Sequence, residues 1–151
     1  MTRRIEHKIQ KAICEMLHYA LPPDAIFWAV PNGGSRKGGA IEGKRLKDEG
    51  VTAGVADLHI LWAGRLICLE VKTPKGPHSK EGKQSDSQKE WQETVTQCGG
   101  LYAVVRSVSE VKDLLDMIGC QKPKRLGTQN NDIDAFFKGE GEIRSERIPT
   151  E

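Results

Sequence analysis

The chain has 151 residues, of which 37% are hydrophobic and 29% are charged, and its formal net charge is +2. That length suits one domain with a sizeable core, and the composition is that of a soluble globular protein. No apolar run approaches the roughly 18 to 20 residues that a membrane-spanning helix needs. The N-terminal "MTRRIEHKIQ" lacks the apolar stretch of a signal peptide, so we expect a cytoplasmic protein.

The four cysteines form neither a metal-binding nor a disulfide pattern. Cys14, Cys68, Cys98 and Cys120 are far apart in the sequence, and no CxxC pair occurs. Zinc sites need closely spaced ligands and disulfide frameworks need an oxidising compartment, so neither is favoured. Cys68 and Cys98 lie in apolar runs, and we expect both to be small core residues.

The first part of the chain predicts a helix, a strand and a second helix. Residues 3–20 carry apolar side chains at helical spacing and are followed by "LPP". "AIFWAV" (25–30) is rich in strand-forming residues and is stopped by "PNGG". "GGAIEGKRLKDEG" has the composition of a short charged helix, with Gly50 at its C-terminal cap.

The middle of the chain predicts a β-hairpin and a loop. "ADLHILW" (56–62) and "RLICLEVKT" (65–73) are both rich in strand-forming residues, and only "AG" separates them. Such a short connection between two strands is typical of a hairpin. The polar residues 74–86 that follow, with their Pro and Gly, predict a loop.

Overlapping capping boxes predict a third helix after this loop. Ser85 with Gln88, and Ser87 with Glu90, each match the pattern that opens a helix. The double glycine at 99–100 ends it. Four side chains at helical spacing would form its inner face: Gln88, Trp91, Val95 and Cys98.

A last strand and helix complete the pattern. "LYAVVRS" predicts the strand, and Ser107 with Glu110 forms a capping box for a helix that stops at Gly119. Residues 121–151 have few large apolar side chains and no clear periodicity. We expect a polar C-terminal tail there that is mobile or packs on a partner.

The predicted element order αβαββαβα indicates the α/β class, with a mixed central β-sheet flanked by helices. Both faces of such a sheet are buried, so charged side chains on a central strand are costly unless they are paired or bind a metal. Sequence fingerprints of P-loop nucleotide-binding proteins, Rossmann dehydrogenases and GxSxG hydrolases are absent from the sequence.

"LICLEVKT" (66–73) places two charges on such a strand. Glu70 and Lys72 lie two positions apart and therefore project from the same face. Asp57 begins the neighbouring hairpin strand, so we expect it to lie near Glu70. Two close carboxylates repel each other, and a hard divalent cation such as Mg²⁺ relieves that repulsion. Lys72 could position or deprotonate a water and stabilise negative charge at phosphorus, a pattern that favours metal-assisted phosphodiester hydrolysis.

This pattern resembles the PD-(D/E)xK nuclease superfamily with its restriction-endonuclease-like core, and within it the VRR-NUC (virus-type replication-repair nuclease) family. Four stretches within residues 26–118 carry the resemblance: "VPNGGSRKGGAIEGKRLKDEGVTAGVADLHIL", "LICLEVKTPKG", "SDSQKEWQETVTQCGG" and "YAVVRSVSEV". It implies a nuclease domain over residues 1–120, with the tail at 121–151 outside the match. Ala56 stands where the family has the proline of "PD", a residue that shapes a turn and carries no chemistry.

The resemblance also implies roles for individual residues. Asp57 and Glu70 would bind Mg²⁺ or Mn²⁺, together with the Val71 main-chain carbonyl. Lys72 would be the catalytic lysine, and Gln88 would be an active-site residue with Trp91 as its packing neighbour. Glu6, on the first helix, matches a further metal-binding acid, although it could equally be a surface residue of an amphipathic helix.

Several basic side chains around these strands are candidate DNA contacts. Glycines let backbone amides approach phosphates, and cations neutralise them, although such charges usually lie on a solvated surface. The candidates are Arg36, Lys37, Lys44, Arg45, Lys75, Lys80 and Lys83.

His59 and the tryptophans are expected to have structural roles. His59 lies two residues after Asp57, where it could act as a base or ligand, but a satisfied core histidine is favoured. Trp28, Trp62 and Trp91 lie at core-like positions rather than on base-stacking surfaces.

The sequence therefore predicts a metal-dependent DNA endonuclease. The resemblance implies branched DNA (Holliday junctions or flaps) as substrate, a phage or prophage replication-repair setting, a possible replication or repair partner, and a homodimer, which would give two active sites for two nicks. Three alternatives stay open: an RNA endonuclease on the same core, a DNA-binding module that does not cut, and an interaction protein that uses the tail.

Overall fold

A computed structural model of the chain describes residues 2–31, 39–77 and 80–122. Two of the candidate DNA contacts, Arg36 and Lys37, lie outside these ranges, as does the predicted tail after residue 122. None of the helices within the described ranges combines the length and the apolar character needed to cross a bilayer.

The elements follow the predicted order αβαββαβα. The helices are α1 (Thr2–Ala20), α2 (Gly39–Asp48), α3 (Asp86–Gln97) and α4 (Val108–Ile118). The strands are β1 (Ile26–Ala29), β2 (Leu58–Trp62), β3 (Arg65–Val71) and β4 (Leu101–Val105).

The strands form one mixed sheet in the order β1-β2-β3-β4. β1 pairs with β2 and β2 with β3 in antiparallel fashion, whereas β3 and β4 are parallel. Ala63 (φ 50°) and Gly64 (φ 72°) turn the β2–β3 hairpin, which matches the two positive φ angles of a type I′ turn. Helix α3 makes the crossover that a parallel β3–β4 pair requires. β2 and β3 are therefore the two central strands.

The two faces of β3 pack against different helices. Ile67, Leu69 and Val71 join the main core with buried side chains of α1 and α4. Cys68 lies on the opposite face in a smaller cluster beneath α3, with Val95 as its buried partner from that helix. This alternation follows the strand period of two, and it puts Glu70 on the α3 side of the sheet.

Four details differ from the sequence predictions. The capping box predicted for α4 forms only in part: Ser107 Oγ accepts a hydrogen bond from the Glu110 main-chain amide, but the Glu110 carboxylate accepts one from the amide of Arg106 instead of that of Ser107. Cys98 is exposed rather than in the core, because it is the C-cap of α3, where the helical stripe has already ended. Trp28 is 40% exposed, because β1 is an edge strand with a strand neighbour on one side only. Of the two overlapping capping boxes, the one that forms is Ser85 with Gln88, and α3 begins at Asp86.

Candidate active site

Asp57 and Glu70 are brought together by the register of the two central strands. Leu58 pairs with Leu69 across the hairpin, so the next positions outward are Asp57 and Glu70. Asp57 precedes β2 and is held from two sides. Its Oδ2 accepts a hydrogen bond from the Val71 amide (2.9 Å), and its main-chain oxygen accepts one from the Val30 amide (2.9 Å).

Glu70 is a buried carboxylate whose oxygens both have hydrogen-bond donors. The residue is 1% exposed. Oε1 accepts from Lys72 Nζ at 2.8 Å and also from Gln88 Nε2, while the Tyr102 hydroxyl lies 3.5 Å from Oε2. Burial, with a smaller contribution from the nearby charge of Asp57, raises the pKa of Glu70 to about 7, although the hydrogen bond from Lys72 acts in the opposite direction. Burial therefore disfavours the ionised carboxylate, and its neighbours only partly compensate.

Gln88 connects the start of α3 to this carboxylate. The side-chain Oε1 of Gln88 accepts a hydrogen bond from the main-chain amide of Ser85 (2.9 Å). The main-chain amide of Gln88 donates to Ser85 Oγ (3.3 Å), which completes the capping box. The carbonyl end of the side-chain amide is thus fixed at the helix cap, and the NH₂ end donates to Glu70. The cap therefore determines which way the amide points.

Glu6 reaches the end of β3 from the first helix. Its Oε1 accepts two hydrogen bonds from Thr73, one from the main-chain amide and one from Oγ1, each 3.2 Å long. Thr73 itself is fully buried. Glu6 therefore attaches α1 to the strand that carries Glu70 and Lys72, which a free surface residue would not do.

These residues share one open cleft of about 1030 Å³. Its lining includes all of the candidate catalytic side chains (Glu6, Asp57, Glu70, Lys72 and Gln88) together with Arg4, His7 and Lys8 of α1. The other candidate DNA contacts that the structure describes lie elsewhere. Lys44 and Arg45 are exposed on α2, where Arg45 forms an ion pair with Glu49 (3.0 Å), and Lys75, Lys80 and Lys83 are exposed on the loop after β3.

Sequence reasoning missed two residues that touch this site, Tyr102 and Thr73. Burial and the negative charge of Glu70 raise the pKa of Tyr102, which keeps its hydroxyl protonated and able to donate to Glu70. Tyr102 lies in an apolar stretch that predicts only a core strand. The alternation of side chains along β4 could have placed Tyr102 on the same face of the sheet as Glu70, but only once the parallel pairing of Cys68 with Tyr102 is known.

His59 lies in the sheet as expected, but it is not satisfied. It is 6% exposed, its ring stacks against Trp91 (centroids 6.4 Å apart) and meets Trp28 edge-on (5.4 Å), and burial lowers its pKa. Its Nε2 has no hydrogen-bond partner within the part of the chain that the structure describes. It does not line the cleft, so no role in the chemistry follows from its position.

Asp57 and Glu70 could hold a hard divalent cation. The two carboxylates lie close enough for the charge of Asp57 to raise the pKa of Glu70. Both supply oxygen atoms, which are the ligands that Mg²⁺ prefers. The ranges that the structure covers contain no cluster of three or more His, Cys, Asp or Glu side chains arranged around a metal position. Asp57 and Glu70 would be the carboxylate ligands of such an ion, and main-chain, water or substrate oxygens would have to supply the others.

Comparison with known proteins identifies the fold. No family model matches the sequence, and a comparison with curated proteins found no match either. Among solved structures, a VRR_NUC domain protein is similar, with a TM-score of 0.57 and 20% sequence identity over 75% of this chain and 86% of the other. A likeness at this identity shows the fold. The predicted restriction-endonuclease-like α/β architecture, a mixed four-stranded sheet flanked by helices, is therefore confirmed.

Proposed function

We propose that this protein is a nuclease, and more specifically a divalent-metal-dependent endonuclease that hydrolyses DNA phosphodiester bonds. The observation that carries the proposal is the buried Glu70 carboxylate, which contacts Lys72, lies next to Asp57 and opens into a large cleft. A fold shared with a VRR_NUC domain protein supports the same reaction class.

The side chains around the cleft have different roles in the proposed reaction. A Mg²⁺ or Mn²⁺ ion bound by Asp57 and Glu70 would supply Lewis-acid polarisation of the scissile phosphate and lower the pKa of a bound water. Lys72 is 12% exposed at the cleft, where its ammonium can stabilise negative charge that develops on phosphate oxygens. Gln88, fixed by the cap of α3, keeps the Glu70 carboxylate in one orientation.

The finer substrate class is part of the proposal. We expect a nuclease of the replication-repair type found in phages, which is selective for branched DNA and acts as a homodimer. Two coordinated nicks at a junction need two active sites in a fixed relation, and a two-fold dimer supplies them. A replication or repair protein would then be the natural partner.

The test is a cleavage assay on end-labelled four-way junction, flap, linear duplex, single-stranded DNA and matched RNA, each with Mg²⁺, Mn²⁺ or EDTA. We expect metal-dependent cutting of the branched DNA. Lys72→Ala should lower kcat by about 10² to 10⁴-fold, the range found for positioned acid–base groups. Lys112→Ala is the matched control, because Lys112 is an exposed lysine on α4, away from the cleft.

Each other outcome would redirect the proposal. Cutting that persists in EDTA or in Lys72→Ala would contradict the assigned site. Preference for RNA would make the protein a ribonuclease on the same core. Tight junction binding without cutting in any metal would indicate a binding module.

A further inference from the structure

The first turns of α1 present a basic face at the mouth of the cleft. Arg4, His7 and Lys8 are exposed and line the cleft rim. They are spaced i, i+3 and i+4, so they lie on one side of the helix. The opposite side, from Ile9 through Ile13 to Leu17, packs in the main core.

Arg4 and Lys8, the two side chains on this face that carry a permanent positive charge, have no acidic partner among the residues that the structure describes. In the described ranges, neither Arg4 nor Lys8 forms an ion pair, although other basic side chains on helices do. Lys11, one turn further along α1, pairs with Glu15 at 3.8 Å, and Lys89 pairs with Asp86 at 3.0 Å. The positive charge at the cleft mouth is therefore left free to meet a ligand.

The basic face is also fixed in position relative to the catalytic residues. Glu6 lies on the same stretch of helix, and its two hydrogen bonds to Thr73 attach that stretch to the end of β3. Thr73 directly follows Lys72. Two hydrogen bonds and one peptide bond thus connect the helix turn that carries the basic face to the catalytic lysine.

We propose that Arg4 and Lys8 bind the phosphate backbone of the nucleic acid strand that enters the cleft. This inference rests on the proposed function. It assigns the side of the cleft that binds the substrate, here called the substrate wall, to α1 rather than to α2 or the loop after β3. Four residues along an α-helix rise about 6 Å, and one strand of DNA carries a phosphate about every 3.4 Å of helix axis, so the two side chains can reach neighbouring phosphates. Backbone contacts of this kind hold the strand without reading its sequence.

The inference is tested by DNA binding and its salt dependence. The double variant Arg4→Ala/Lys8→Ala would be compared with Lys11→Ala/Lys112→Ala, which removes the same charge away from the cleft. Both would be made in a Lys72→Ala background of the full chain, so that binding of a fluorescent four-way junction is measured without cutting. All four positions are exposed, and thermal unfolding would verify that the variants fold equally well.

We expect the cleft variant to bind roughly tenfold more weakly at 0.1 M salt, with the slope of log K against log salt reduced by about 1 per lost phosphate contact. Arg4→Lys/Lys8→Arg should keep the binding, since the charge is retained. With Lys72 present, the cleft variant should raise KM and leave kcat nearly unchanged, as loss of uniform binding does.

Two results would overturn the inference, and they are distinguishable. If both double variants bind the junction equally well, α1 is not the substrate wall, while the proposed nuclease function stands. The parent Lys72→Ala chain would also be tested for binding to the flap, duplex, single-stranded DNA and RNA of the cleavage assay. If it binds none of these and no junction, the proposed function fails and the inference fails with it.

Discussion

Glu70 occupies a position that the rest of β3 gives to apolar side chains. Leu69 and Val71 face the main core, and Cys68, on the same face as Glu70, is buried beneath α3, yet the Glu70 carboxylate is almost fully buried as well. Lys72 and Gln88 donate to it, but burial still raises its pKa to about 7. An ionised Glu70 is therefore a cost to the folded state that a bound cation would offset.

This cost predicts how stability depends on pH. The folded pKa of Glu70, about 7, lies above its ordinary value of 4.5, so the folded state holds its proton more tightly than the unfolded state does. Stability from this group is complete below pH 4.5 and is lost as the pH rises through 7. With 1.36 kcal/mol for each pH unit, the loss is about 3 kcal/mol. Urea unfolding in EDTA between pH 4 and pH 8 measures it.

The comparison for this measurement is Glu70→Gln, which cannot ionise and should lose the pH-dependent component. Glu93→Gln is the matched control, since Glu93 is an exposed carboxylate on α3. If wild type and Glu70→Gln show parallel pH profiles, the cost assigned to the buried carboxylate is wrong.

At the scale of the elements, α3 begins at the active site and its cap has two tasks. Ser85 closes a capping box with Gln88, and the same Gln88 side chain donates to Glu70. Loss of the cap should therefore weaken the helix and release the orientation of the amide. Helix α4 offers a comparison, because the Ser107 hydroxyl accepts a hydrogen bond from the main-chain amide of Glu110 as Ser85 accepts one from that of Gln88. Glu110 lies outside the cleft lining, whereas Gln88 belongs to it.

Ser85→Ala and Ser107→Ala should each lower the free energy of unfolding by about 1 kcal/mol, the usual cost of a lost N-cap. Only Ser85→Ala should also reduce kcat, on the order of tenfold, because the group that orients Glu70 is no longer held in place. Denaturant unfolding and junction cleavage measure the two effects. Equal activity of the two variants would show that the cap does not position Gln88.

At the scale of the whole molecule, a close backbone contact joins the segment before β2, which leads to Asp57, to the start of α3, which carries Gln88. Gly54 (φ +78°) lies in the segment that leads to Asp57, and a Cβ added there would meet the Ser87 carbonyl oxygen at 2.1 Å. Ser87 belongs to the first turn of α3, next to Gln88. The segment before β2 and the start of α3 can therefore approach this closely only with glycine at position 54.

Gly54→Ala should destabilise the protein by the strain of a left-handed alanine, about 1 to 2 kcal/mol, plus about 1 to 3 kcal/mol of overpacking. Gly64→Ala is the matched control, because Gly64 has a similar φ (+72°) but no atom within 4 Å of an added Cβ. Activity should fall only in Gly54→Ala, since a misplacement of about 1 Å can cost about 10² in rate. Unfolding and cleavage assays on both variants measure the difference, and equal behaviour would contradict the role of this contact.

The sequence by itself determined the order of the elements and the proximity of Asp57, Glu70 and Lys72. Apolar periodicity, serine caps and glycine stops are local signals, so they located the helices and the hairpin and predicted the order αβαββαβα that the structure confirms. Asp57 and Glu70 could be placed side by side for the same reason, because a two-residue hairpin fixes its own register. Lys72 then followed from the strand period.

The tertiary structure decided everything that depends on contacts between distant segments. The parallel pairing of β3 with β4 brings Tyr102 to Glu70, and the packing of α1 brings Glu6 to Thr73 and Arg4 to the cleft mouth. The exposure of Cys98 and Trp28 was decided there too, by the end of a helix and the edge of the sheet. No local pattern encodes these relations, because the burial and pairing of a residue depend on which segments cover it once the chain has packed.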